Sequence, residues 1–153
     1  MPRQAPQLAL DNQLCFALYD ASRALIRAYG PFLEPLGLTY PQYVTMLALW
    51  ESTEPVTVGA LGERLSLDSG TLTPLLKRLE QGGIVERRRD DADERRVLVT
   101  VTRAGWVLRD EAADLPRCLH QRLQLDVTSA LALRRQLAEL STAVKRATES
   151  AAT

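Results

Sequence analysis

Two stretches of this chain carry side chains able to grip a polyanion, and two cysteines supply the other reactive chemistry. The run Arg87-Arg88-Arg89-Asp90-Asp91-Ala92-Asp93-Glu94-Arg95-Arg96 sets five arginines around four acids. Taken alone, it reads equally well as a solvated turn laced with internal ion pairs. At the tip of a hairpin that directly follows a helix-turn-helix, it reads as a wing. An arginine there enters the minor groove of duplex DNA while acidic neighbours hold its fork in place. Arg95, braced by Asp93, is the expected groove residue, and Arg87 is counted with them as DNA-binding. Upstream, Ser69, Thr71, Thr73, Lys77 and Arg78 lie on the side of a helix opposite its leucines. Short hydroxyls near a helix N-terminus suit phosphate and base-edge contacts, and the two cations suit phosphate.

Cys15 falls in helical register with Ser22 and Tyr29, at successive intervals of seven, and Tyr19 lies one turn beyond it. Along one helix Cys15 and Tyr29 stand about 21 Å apart at 1.5 Å per residue, so they cannot meet within one subunit's helix. Two copies of the helix crossing antiparallel near Ser22, where Ala21, Ser22 and Ala24 allow close approach, would set each Cys15 against the partner's Tyr29. A phenol that donates to sulfur favours the thiolate, the form that peroxides attack. The alternative is that Cys15 is a small buried apolar residue. Cys118, in a later helix, is either another such residue or a resolving thiol. His120 has no partner pattern and reads as a surface residue.

The elements that must position these groups are legible in outline. From Leu10 to Tyr29, Leu14, Leu18, Ala21, Leu25 and Ala28 recur at steps of four and three, one helix face. Asp11 suits its cap, and Gly30-Pro31 its end. Pro41 suits the first position of a short second helix with Tyr43, Leu47 and Trp50 turned inward. Thr57 to Gly83 reads as two helices and a tight turn, with Asp68 or Ser69 capping the second and Pro74 straining it. Ile84–Arg89 and Val97–Thr102 then form a β-hairpin. Thr102 caps a helix presenting Leu108, Ala112, Leu115 and Leu119, kinked at Pro116. A last helix carries Ala130, Leu133, Leu137, Leu140, Val144 and Ala147 in a heptad-like stripe.

The expected fold is therefore mainly α with a small β-hairpin, a single domain over residues 1–153. Its winged helix-turn-helix spans 52–103, with dimerisation helices at 10–30 and 104–150. The apolar faces of those terminal helices exceed what the central unit can cover, and pairing of two chains is the simplest solution.

Composition narrows the function classes. An apolar content of 46% with 25% charged residues is that of an ordinary globular protein. The 19 basic residues balance 19 acidic ones, so any attraction to phosphate must be local. No stretch approaches the roughly 18 to 20 apolar residues that span a bilayer, and the N-terminus lacks the apolar core of a signal peptide. A cytoplasmic protein without membrane association is expected. Cys15 and Cys118 have no metal-type spacing, which argues against zinc, and no cofactor is expected.

Leu67-Asp68-Ser69-Gly70-Thr71-Leu72-Thr73-Pro74-Leu75-Leu76-Lys77-Arg78-Leu79-Glu80, followed by Asp93-Glu94-Arg95, resembles the MarR family and specifically its organic-hydroperoxide-sensing OhrR branch. The likeness extends from Cys15, with Tyr29 and Tyr40, to the cysteine in the helix after the wing. It implies a homodimer that binds a pseudo-palindromic operator in double-stranded DNA while reduced and represses a gene for peroxide detoxification, without being an enzyme. It also implies that Cys15 is the peroxide-reactive thiol, that Tyr29 and Tyr40 hydrogen-bond its sulfur from the other subunit, and that Tyr19 lines the same pocket. Pro74 is tolerated in the family's recognition helix. Members with a second cysteine form a disulfide after oxidation, which implies a bond between Cys15 and Cys118 of different subunits. Two rivals stand beside this reading: a MarR-type repressor released by a reversibly bound phenol or carboxylate, and a thiol peroxidase.

Overall fold

The computed structural model describes residues 6–151. In chain order its elements are α1 (Leu14–Leu33), α2 (Tyr40–Leu49), β1 (Val56–Thr57), α3 (Val58–Leu65), α4 (Ser69–Gln81), β2 (Val85–Arg89), β3 (Val97–Val101), α5 (Arg103–Ala112), α6 (Leu115–Leu123) and α7 (Val127–Ala151). The chain falls into two compact units, Met1–Ala113 and Asp114–Thr153. The division lies inside the segment expected to form the C-terminal dimerisation helices.

The first helix is displaced from its expected limits of 10–30. Asn12 Nδ2 donates to the Pro6 carbonyl at 2.9 Å, and Gln13 Nε2 to the Gln7 carbonyl at 2.8 Å. These amides fold residues 6–12 into two short 3-10 turns, so Asp11 lies in a turn and extended Gln13 is the residue at which α1 begins. Nor do Gly30 and Pro31 end it. A proline removes one ladder bond, but the Glu34 amide still reaches the Gly30 carbonyl, and Leu33, 2% exposed, anchors the last turn in the core. The chain reverses at Gly37, whose φ of +65° is the left-handed conformation that glycine adopts freely.

Helix α2 starts with a capping box in which Thr39 and Gln42 pair reciprocally, so Tyr40 and not Pro41 is its first residue. Tyr43, Met46 and Leu49 face the core. Leu47, expected inward, is 42% exposed, because the buried set follows a 43-46-49 face that excludes it. In the helix-turn-helix, Thr57 caps α3 by accepting from the Ala60 amide at 3.1 Å, and Asp68 caps α4 by accepting from the Thr71 amide at 2.8 Å. Pro74 lies inside α4 without ending it. An interior proline costs about 3 kcal/mol, whereas Leu72, Leu76 and Leu79 are all 0% exposed, each contributing roughly 1.5 to 3 kcal/mol. Burial wins.

A two-residue strand, β1, joins the expected hairpin, giving an antiparallel sheet ordered β1-β3-β2. Arg87 lies opposite Val99 and Arg89 opposite Val97. Strand β1 is too short to leave a periodic signal. After the hairpin, Thr102 caps α5, accepting from the Gly105 amide at 3.1 Å and donating to the Gly83 carbonyl at 2.7 Å.

The helix expected to kink at Pro116 is two helices. α5 stops at Ala112, and Pro116 occupies the second position of α6, where its missing amide has no partner to lose. Asp126 accepts from the Ser129 amide at 2.7 Å at the start of α7, a 25-residue helix that buries no side chain. Leu131, Leu133, Leu137 and Val144 on it are all exposed. No helix among the described residues is long and apolar enough to cross a membrane.

Candidate nucleic-acid interface and thiol site

Helix α4 separates its two faces cleanly. Leu72, Leu76 and Leu79 are buried, while Ser69, Thr71, Thr73, Lys77 and Arg78 are exposed. The tight turn before it needs Gly62 in α3: a Cβ there would lie 2.9 Å from the Leu67 carbonyl oxygen and 3.7 Å from Leu72 Cδ2. Sequence reading passed over this glycine, although a glycine between Leu61 and Leu65 in a helix was the available signal. Asp68 accepts from both the amide and the hydroxyl of Thr71, which holds its carboxyl below the usual carboxylate range. The Thr71 hydroxyl is thus partly committed to the cap, whereas Ser69 and Thr73 stand at the rim of an open cleft of about 1010 Å³. Arg95 and Arg96 line the same cleft from the wing side.

The wing tip is stitched by its own charges. The Asp90 amide donates to the Arg96 carbonyl at 3.0 Å and the Arg96 amide to the Asp93 carbonyl at 2.9 Å, closing the loop. Asp93 Oδ1 accepts from the Arg95 backbone amide at 3.1 Å and from its Nε at 3.3 Å. Arg95 remains 93% exposed, its guanidinium steered but free to meet an anion. Arg87 lines the same cleft but is held differently. Expected among the DNA contacts, it turns back onto Glu80 of α4 in a half-buried ion pair with Nη2 2.6 Å from Oε2. A carboxylate two positions after Arg78 on the same helix was the missed signal.

On α1, Cys15 and Tyr19 are exposed, and Arg23 donates to the Tyr19 hydroxyl at 3.0 Å while lying over its ring. The phenols gather at the other end of the helix. Tyr29 packs on Tyr40 with ring centroids 4.9 Å apart and on Tyr43 at 5.8 Å. Burial first, and the neighbouring phenols second, raise Tyr29 above its ordinary value and push Tyr43 up to about 12. These groups therefore stay protonated and able to donate across the whole neutral range. Sequence reading placed Tyr43 only as a core residue; its phenol completes the cluster. Tyr19 is not part of it.

Cys118 is half-buried on α6, with its amide bonded to the Asp114 carbonyl at 3.0 Å. His120, read as a partnerless surface residue, is half-buried, with Nδ1 2.7 Å from the Pro116 carbonyl. Among the described residues no group of three potential ligands could hold a metal ion.

The model of the transcriptional regulator SarA/Rot family matches residues 27–111. The organic hydroperoxide resistance transcriptional regulator of Bacillus subtilis (strain 168) is 49% identical over 116 residues, covering 76% of this chain and 78% of that protein. The chain belongs to the MarR family of DNA-binding transcription regulators, in its OhrR branch. Another relative, the HTH-type transcriptional regulator TtmR of Methylorubrum extorquens (strain PA1), is 53% identical over 114 residues, 74% of this chain, which spans just over half (57%) of TtmR. The structure of reduced AbfR bound to DNA superposes with a TM-score of 0.75 at 36% identity, over 93% of this chain and 97% of AbfR. As a MarR-family regulator the protein is not an enzyme, which removes the thiol-peroxidase reading. The mostly helical fold with its small sheet is the winged helix of the family.

Proposed function

We propose that the protein is a homodimeric cytoplasmic repressor that holds a pseudo-palindromic operator while Cys15 is reduced and releases it when an organic hydroperoxide oxidises that thiol. Helix α4 lies in the major groove, with Ser69, Thr71 and Thr73 at base edges and phosphates and Lys77 and Arg78 on the backbone. Arg95 enters the adjacent minor groove. The likeness to AbfR bound to DNA supports this docking.

One observation carries the sensing step. Cys15 is exposed at the start of α1, and the Tyr29–Tyr40 pair stands at its far end, about 21 Å away along the axis. A donor cluster so placed serves the thiol of a second copy, not its own. The thiolate attacks the distal oxygen of the hydroperoxide. The O–O bond breaks, the alcohol leaves after taking up a proton, and Cys15 becomes a sulfenic acid. Cys118 of the other subunit then attacks that sulfur, forming the disulfide and releasing water. Each disulfide consumes one hydroperoxide.

The test is intact mass and non-reducing gel mobility after one equivalent of cumene hydroperoxide, beside hydrogen peroxide and a Cys15→Ser control. A covalent dimer joined through Cys15 and Cys118, formed faster with the organic peroxide and absent from the control, is the expected result. Unmodified protein would leave the DNA reader in place and move the signal to a reversibly bound phenol or carboxylate.

A further inference from the structure

Glu80, on the last turn of α4, and Arg87, in the middle of β2, meet where the helix faces the root of the wing. Arg87 Nε donates to Glu80 Oε2 at 3.0 Å and its Nη2 to the same oxygen at 2.6 Å, while the Arg87 backbone amide donates to Oε1 at 3.0 Å. Both carboxylate oxygens are thus engaged by one residue, side chain and main chain together. The two side chains are 24% and 35% exposed, whereas Arg88, Arg95 and Arg96 in the wing's other ion pairs are each more than half exposed. A partly desolvated, multiply bonded pair holds a geometry in a way that a surface pair does not. Arg87 also holds the Glu80 carboxyl below the ordinary carboxylate range, so the pair is charged throughout neutral pH.

Topology explains why this contact matters. β2 is the edge of the sheet, paired with β3 alone, so an outward-facing amide on it has no strand to meet. At Arg87 that amide is taken by Glu80. The strand is thereby tied to α4 at mid-length. Arg95 lies in the turn four residues along the hairpin from Val99, which is opposite Arg87, at most about 13 Å at 3.3 Å per residue. A tilt of about 10° at that point carries the tip by up to about 2 Å, enough to break a hydrogen bond to a groove.

We propose that Glu80 and Arg87 are positioning residues, a clamp that sets the angle between the recognition helix and the wing and thereby the protein's sequence preference on duplex DNA. The proposal rests on the DNA reading above and reassigns Arg87 from phosphate contact to brace. It makes an unusual demand. Removing the negative charge of Glu80 should help a protein bind a polyanion by simple electrostatics, yet the clamp requires that its loss weaken selective binding.

The experiment uses the full-length reduced protein and a duplex enriched by the wild type from a pool with a randomised centre, beside a shuffled duplex of the same composition. Affinities for both are measured across a salt series, with melting temperature recorded for each variant. Glu80→Gln is expected to lower the selected-to-shuffled affinity ratio about tenfold, with the slope of log affinity on log salt unchanged. Arg87→Lys, which keeps the charge but loses the fork, should do the same. The double variant Glu80→Gln/Arg87→Gln should be no worse than the weaker single one. Tighter binding by Glu80→Gln, together with a slope reduced by about 0.9 in Arg87→Gln, would make Arg87 a phosphate contact and overturn the clamp. A lowered melting temperature with an unchanged ratio would overturn it too, leaving only a structural tie. Failure of the wild type to enrich any duplex would instead defeat the DNA reading, and the clamp with it.

Discussion

The indole of Trp50 donates to the carbonyl of Gly105 at 3.0 Å, joining the end of α2 to the first turn of α5 across 55 residues of chain. Gly105 is buried, and a Cβ on it would collide with the Ile84 carbonyl oxygen and crowd Val101 Cγ1. The helix after the wing is therefore seated on the hairpin root by a backbone approach that only glycine permits. Gly105→Ala should lose about 1 to 3 kcal/mol in urea unfolding. Trp50→Phe, which deletes the donor together with part of the indole ring, should lose about 1 to 3 kcal/mol. A Gly105→Ala protein as stable as the wild type would contradict the steric account of the glycine.

Asp68 gives the recognition helix an acid-sensitive start. Its carboxyl is held below the usual value by the Thr71 amide, then by the Thr71 hydroxyl. The folded form thus binds the proton less readily than the unfolded chain. The contribution is present above the unfolded value near 3.8 and is lost as pH falls through the lower folded one. The difference in melting temperature between wild type and Asp68→Ala should therefore be constant near neutrality and shrink below about pH 4. A difference independent of pH would show that the ionised cap contributes nothing.

Arg95 presents its guanidinium to solvent, steered by Asp93. Arg95→Ala should leave the melting temperature unchanged, weaken operator binding, and lower the salt slope by about 0.9 for one lost phosphate-region contact. Unchanged operator affinity would remove the wing tip from the interface.

The phenol cluster predicts an alkaline signature. Burial holds Tyr29 and Tyr43 protonated beyond their ordinary value, Tyr43 to about 12. The folded state binds these protons more tightly than the unfolded chain does. The associated stability is fully present below pH 10 and disappears as pH rises from there through about 12. Absorbance titration near 295 nm should show delayed ionisation that Tyr43→Phe removes in part. Ionisation of all the tyrosines together at 10 would mean that the cluster is wet.

What the sequence disclosed, and what it hid, divides along a physical line. The leucine spacing of α4, the Asp68 cap and the alternating valines of β3 are local signals, and each was readable because one element dictates them. Gly30-Pro31 misled because the anchoring of Leu33 is a tertiary fact that overrides a local stop signal. Leu47 was assigned inward on helical spacing alone, and only the neighbours of α2 decide which of two adjacent faces is covered. Strand β1 exists through its pairing with β3, Val56 opposite Val99, and two residues carry no period. At the site, Arg95 with Asp93 is a two-residue motif and was legible. Arg87 with Glu80 joins different elements, so its position in the wing run gave no sign of the pairing.

Helix α7 keeps its stripe of leucines in water when the chain is alone, with Leu133 at 54% and Leu137 at 39% exposure. If a second copy covers that stripe, the order of this segment is governed by mass action, and each tenfold dilution costs the assembled form about 1.4 kcal/mol. The cell's own inventory of the regulator then becomes a variable of its folding. A shortage would empty the operator without any oxidant, and a surplus would resist one.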